Sequence, residues 1–149
     1  MGSAVKKISS KPWSMRVFDD FMASSDSLRV YHSRKLIFSS TRETLLPLVE
    51  YLDGCRSYRR QVVIYDKIVG NAAALLSVLA NCREIYSPLG SQLAVATLGR
   101  YCVAYHLAEI IPYIRKSDSP SMCLMEKLSI GMEPEEFYTR VKYFIGHQK

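Results

Sequence analysis

Apolar positions along this 149-residue chain follow two periods, one helical and one extended. Between Ser14 and Ser25, Met15, Phe18, Phe21 and Met22 recur at helical spacing and predict an amphipathic helix. Leu28–Tyr31 and Lys35–Phe38 are short β-branched or aromatic runs around Ser33-Arg34. They predict a hairpin, although the turn carries neither Gly nor Asn. Thr44–Gly54 is helical, with Pro47 tolerated in the first turn and Gly54 as the stop. Gln61–Tyr65 is a continuous apolar run, the type buried on both faces of a sheet. Helix Ile68–Ala80, strand Glu84–Tyr86, helix Ser91–Leu98 and strand Cys102–Tyr105 then alternate, which implies right-handed parallel crossovers.

Beyond the last strand, Glu109–Arg115 reads as a turn or short helix broken by Pro112, and Met122–Ile130 as a two-turn helix. Pro134, Glu135 and Glu136 open a final helix with an inward stripe of Phe137, Val141, Phe144 and Ile145, ended by Gly146. The expected fold is α/β: a hairpin leading into three parallel strands, with helices on both faces in an α/β/α sandwich. Residues 1–13 are expected to form a flexible basic tail. Residues 14–149 are expected to form one domain, with the core over 26–130 and the C-terminal helix within 131–149.

Charge changes this picture little. The net charge is +6, but Lys6, Lys7, Lys11 and Arg16 supply four of it without an accompanying acid. The remaining 16 basic and 14 acidic residues nearly cancel. Nucleic-acid binding wants a basic face on the folded part. The nearest candidate, Arg56, Arg59 and Arg60, reads as a solvated loop edge, so nucleic acid is not an expected partner. The longest apolar run, Ile68–Ala80, contains Gly70 and Asn71 and falls short of the roughly 18 residues a membrane span needs. No apolar core follows the N-terminal lysines, so no secretory signal is read there. Cys55, Cys82, Cys102 and Cys123 fall in different elements and read as reduced thiols of a cytoplasmic protein.

In open α/β sheets ligands bind beyond the carboxyl ends of parallel strands, which draws attention to Tyr65–Gly70. Asp66 suits a helix N-cap or a general base at a pocket mouth. Lys67 is unexpected beside a helix N-terminus, where a cation is disfavoured unless it meets an anion. Gly70 costs about 1 kcal/mol relative to Ala within a helix, which a close-packed ligand or backbone would explain. A second cluster follows Ser121: Cys123 in a first helical turn, with Glu126 and Lys127 on the same face. Asp66, Cys123 and Glu126 are the candidate catalytic residues, and Lys67, Gly70, Asn71 and Lys127 the candidate ligand contacts. Each has a plainer reading as a cap, a buried thiol or a solvated ion pair. A P-loop, a nucleophile elbow and a dinucleotide fingerprint are absent. Neither the cysteines nor His32, His106 and His147 are spaced for zinc, so no metal or cofactor is expected.

The stretches DKIVGNAAALL, EIYS and IPYIRKSDSPSMCLMEKL, preceding the Pro-Glu-Glu helix, resemble the bacterial family called domain of unknown function 1893. The resemblance runs from about Leu28 to Phe144 and leaves helix 14–25 outside as an addition. It places Asp66, Lys67, Gly70, Cys123, Glu126 and Lys127 on motif positions; Asn71 replaces a usual Lys, and Leu124 a usual Pro. It implies a cytidine deaminase-like fold and, since such folds are often oligomeric, a homodimer. The zinc motifs of true deaminases would fall near TRETLLP and at YDKIVG, which hold neither His nor Cys. Three functions stay open: a metal-independent enzyme, a module binding a small anionic, nucleotide-like metabolite without turnover, and an interaction protein.

Overall fold

The computed structural model describes residues 10–55 and 61–146. Helix α1 (Trp13–Ala23) precedes a hairpin of β1 (Leu28–His32) and β2 (Lys35–Ser40), followed by α2 (Leu46–Cys55). Then come β3 (Val62–Asp66), α3 (Asn71–Leu79), β4 (Cys82–Ser91), α4 (Gln92–Arg100) and β5 (Ala104–Ile111). Two helices close the chain, α5 (Leu124–Ser129) and α6 (Pro134–Gly146). The sheet order is β2-β1-β3-β4-β5. β1 is antiparallel to both its neighbours, while β3, β4 and β5 are parallel. The protein is therefore an α/β chain with a five-stranded mixed sheet and six helices among the described residues.

Alternation along the strands divides the core. Val30, Val62, Ile64 and Ile85 face the larger cluster, built with α2, α3, α4 and α6. Tyr31, Val63, Tyr65 and Tyr86 face the other way and pack with Phe21, Trp13, Met15, Val17 and Phe18 of α1. α3 is the hub, packed against α2, α4, α5 and α6 and buried from Asn71 through Ser77. Small residues on every side permit that all-round burial. In α6, Phe137, Tyr138 and Val141 are buried, whereas the expected Phe144 and Ile145 are only half-buried. Met22, expected on the inner face of α1, is 42% exposed.

The hairpin turn solves its missing glycine directly: Ser33 (φ 49°) and Arg34 (φ 65°) both take positive φ, as a two-residue turn of this hand requires. α2 starts at Leu46, two residues after the expected start, and passes through Gly54 instead of stopping there. β4 and β5 run well past the expected spans, and Glu109–Ile111, expected as turn or helix, is strand. Leu89, Gly90 and Ser91 pair with Glu109, Ile110 and Ile111, so the neighbouring strand imposes the extended form. Pro88 is tolerated because the β3–β4 ladder ends at Tyr65–Tyr86. Gly90 leaves room for Leu107, since a Cβ there would lie 2.5 Å from Leu107 Cδ1 and displace that side chain. Among the described residues no helix is long and apolar enough to cross a membrane.

Candidate functional site

The two motif clusters meet at the start of α3. Gly70 is the N-cap residue of α3, and Asn71 its first residue. Glu126 of α5, 2% exposed, accepts the Asn71 N–H on Oε1 at 2.5 Å and the Ile114 N–H on Oε2 at 2.6 Å. A Cβ on Gly70 would stand 2.9 Å from both Glu126 Oε1 and Ile114 Cγ1. The close approach that calls for glycine is thus made by the protein's own carboxylate, set where a helix N-terminus favours an anion. Asn71 is fully committed. Its Nδ2 donates to Ser129 O (3.2 Å) and Ser129 Oγ (3.0 Å), and its Oδ1 accepts from Thr97 Oγ1.

Lys67 points elsewhere. Its ammonium donates to Ser24 O (3.1 Å) and Asp26 O (2.8 Å) and lies 4.6 Å from the Phe21 ring centroid. Those carbonyls follow the C-terminal end of α1, the negative pole of a helix with no base of its own in its last turn. A cation preceding α3 is therefore explained by the end of a different helix. Asp66 closes β3, and its Oδ1 accepts the Ile68 N–H at 3.3 Å in a local turn. Burial pushes its carboxyl up to about 7, against the backbone N–H bonds of Ile68 and Lys67, which lower it. Cys123 is the half-buried N-cap residue of α5, its N–H donating to Ile114 O at 2.8 Å, and Lys127 is exposed. The structure joins Gly70, Asn71 and Glu126, while Lys67 turns away to α1.

A cavity of about 440 Å³ opens at the opposite pole, between the first turn of α1 and the amino ends of β3 and β4. Its walls include Trp13, Tyr31 and Tyr86, with Arg34, Arg83 and Glu84 as charged groups. Arg34 holds its guanidinium 5.3 Å from the Trp13 ring centroid. Glu84 Oε2 accepts from the Tyr86 hydroxyl at 3.0 Å and sits 2.7 Å from His106 Nε2. Burial raises the Tyr86 phenol above its ordinary range; Ser14 opposes that shift and Glu84 adds to it. The rings of Tyr65, Tyr86 and His106 stack across β3, β4 and β5 at 4.8 and 4.2 Å. None of these wall residues follows from the rule that points to carboxyl strand ends. The signal in the sequence was a tyrosine in each of β1, β3 and β4, of which Tyr65 and Tyr86 are register partners while Tyr31 opposes Val63. Arg56, Arg59 and Arg60 lie outside the described residues.

Fold and geometry together define an α/β protein with a small aromatic and basic cavity. Among the described residues, no group of three His, Cys, Asp or Glu side chains could hold a metal ion. The family model for the domain of unknown function DUF1893 matches residues 16–145, and the chain belongs to that family. The match begins inside α1, so most of this helix belongs to the shared region and is not the addition expected from the sequence. A crystal structure of a DUF1893 family protein from Thermotoga maritima is similar with a TM-score of 0.75. It is 28% identical, over 88% of this chain and 86% of that one. No curated protein matches the chain.

Proposed function

We propose that the protein binds a small anionic ligand bearing a flat ring, of nucleotide-like chemistry, in the cavity beneath α1. The observation carrying this reading is the composition of its walls: three aromatic rings, two arginines and one carboxylate around about 440 Å³. That volume suits a small metabolite. Arginines suit phosphate or carboxylate, and rings suit stacking. Glu84 has Oε2 engaged by Tyr86 and His106, and no hydrogen bond to its Oε1 occurs among the described residues, which leaves an acceptor for a ligand N–H. We take the fold as cytidine deaminase-like, supported by the mixed sheet with three parallel strands and by membership of DUF1893. The zinc of that fold does not fit this chain. The α3 start offers Gly70 and Asn71, with Asn71 already committed, and the α2 start offers no thiol or imidazole. Cys82, Cys102 and Cys123 form no disulfide, which supports a cytoplasmic setting.

The test is calorimetric titration of the full chain with nucleoside monophosphates, nucleosides and inorganic phosphate. Binding of a monophosphate is expected, weakened about tenfold by Arg83→Ala, which corresponds to about 1.4 kcal/mol. Absence of millimolar or tighter binding across the panel would refute the reading. A second reading, turnover, is favoured by the shared proton contacts of Glu84, Tyr86 and His106. Recovery of chemically altered ligand after incubation separates it from simple binding.

A further inference from the structure

The edge strand β5 is written like an interior strand and left uncovered by the described residues. AYHLAEII is dominated by apolar residues, the composition of a parallel strand buried on both faces. Yet six of its eight residues are exposed, with Tyr105 at 37% and Ile110 at 46%, and only Leu107 and Ile111 half-buried. It pairs with β4 alone among the described residues, so its outer row of N–H and C=O groups has no protein partner there. Edge strands are ordinarily blunted by Lys, Pro or a bulge. The opposite edge is treated that way: β2 opens on Lys35, ends on Ser39-Ser40 and meets β1 across a register shift. β5 holds neither Lys nor Pro.

We propose that β5 pairs antiparallel with β5 of a second copy of this chain, joining two sheets into one of ten strands. The sequence argues for a second copy over an unrelated peptide, because β5 is self-complementary about Leu107. With Leu107 on the twofold axis, residues directly opposite share a face: Tyr105 meets Glu109, Ala104 meets Ile110, and His106 meets Ala108. The phenol faces a carboxylate, Leu107 meets its own copy, and like charges never oppose. Shifting the axis to Ala108 instead sets Glu109 against Leu107. Glu109 makes no ion pair among the described residues, which leaves it available for the Tyr105 hydroxyl.

The test measures the mass of the full chain by sedimentation at about 100 μM. Wild type is expected at twice the chain mass, and Ala108→Lys, a cation on an exposed edge position, at the monomer mass with unchanged circular dichroism. A double variant, Tyr105→Cys with Glu109→Cys in a Cys102→Ser background, reads the register. The two cysteines lie about 13 Å apart within one strand and cannot bond to each other, but opposite each other across the pair they can. Mild oxidation is expected to give a covalent dimer. A monomeric wild type overturns the proposal, as does a dimer that survives Ala108→Lys and fails to crosslink.

Discussion

Glu126 does for α3 what a bound anion would otherwise do. Its oxygens take the N–H groups of Asn71 and Ile114 at a helix start that favours negative charge. It is 2% exposed, so those N–H groups have little water to turn to. Glu126→Ala is expected to cost about 3 kcal/mol in urea unfolding, from two stranded donors. Gly70→Ala is expected to cost about 1–3 kcal/mol, because the new Cβ meets Glu126 and Ile114 at 2.9 Å. Losses below about 0.5 kcal/mol for both would sink this account. The sequence singled out Gly70 and Asn71 in one cluster and Glu126 in another, and Glu126 reaches the α3 start. Their meaning was not legible, because spacing shows that a helix start wants an anion without showing which. The route of 112–123, which delivers Glu126 to Gly70, has no local signature.

At the scale of elements, α1 is fastened from outside. Lys67 supplies the positive charge its last turn lacks, Arg29 ties Asp20 and Asp26, and the Tyr65 hydroxyl donates to Ser14 O at 2.9 Å. Lys67→Met keeps the stem over Phe21 and removes the charge-assisted bonds, each worth about 1.5–3 kcal/mol when intact. Amide exchange along α1 is expected to accelerate about tenfold, with α3 unchanged, since α3 is packed independently of that lysine. Uniform acceleration in both helices would mean that Lys67 supports the whole fold and not one end of α1. Helices α1 and α6 were readable from periodicity, and β3 from its apolar run. The reach of β4 and β5 was not, because Leu89–Ser91 and Glu109–Ile111 become strand through each other. The cavity was hidden for a related reason: its walls join α1, the hairpin turn and two strand starts that no linear motif links.

Stability against pH belongs to the whole molecule, and two aspartates pull it in opposite directions. Burial raises Asp53, but hydrogen bonds from Tyr138 and Lys142, with the Lys142 charge, outweigh it and hold the carboxyl below its ordinary 3.8. That stabilising contribution is present above the unfolded value and is lost only as pH falls into the strongly acid range. Asp66 is the reverse. Asp66 is half-buried, and the desolvation of its carboxyl outweighs the Ile68 and Lys67 N–H bonds that favour the charged form. With a folded value of about 7 against 3.8, the native state binds a proton that the unfolded chain releases. Stability is therefore full below about 4 and declines as pH rises toward 7, at up to about 1.4 kcal/mol per pH unit. Thermal unfolding of the wild type is expected at lower temperature at pH 7.5 than at pH 5. Asp66→Asn keeps an oxygen for the Ile68 N–H and removes the charge. Its melting temperature is expected to change less between those two pH values and to exceed wild type at the higher one. An equal decline in both proteins would show that the Asp66 carboxylate is solvated at neutral pH and that some other group carries the dependence.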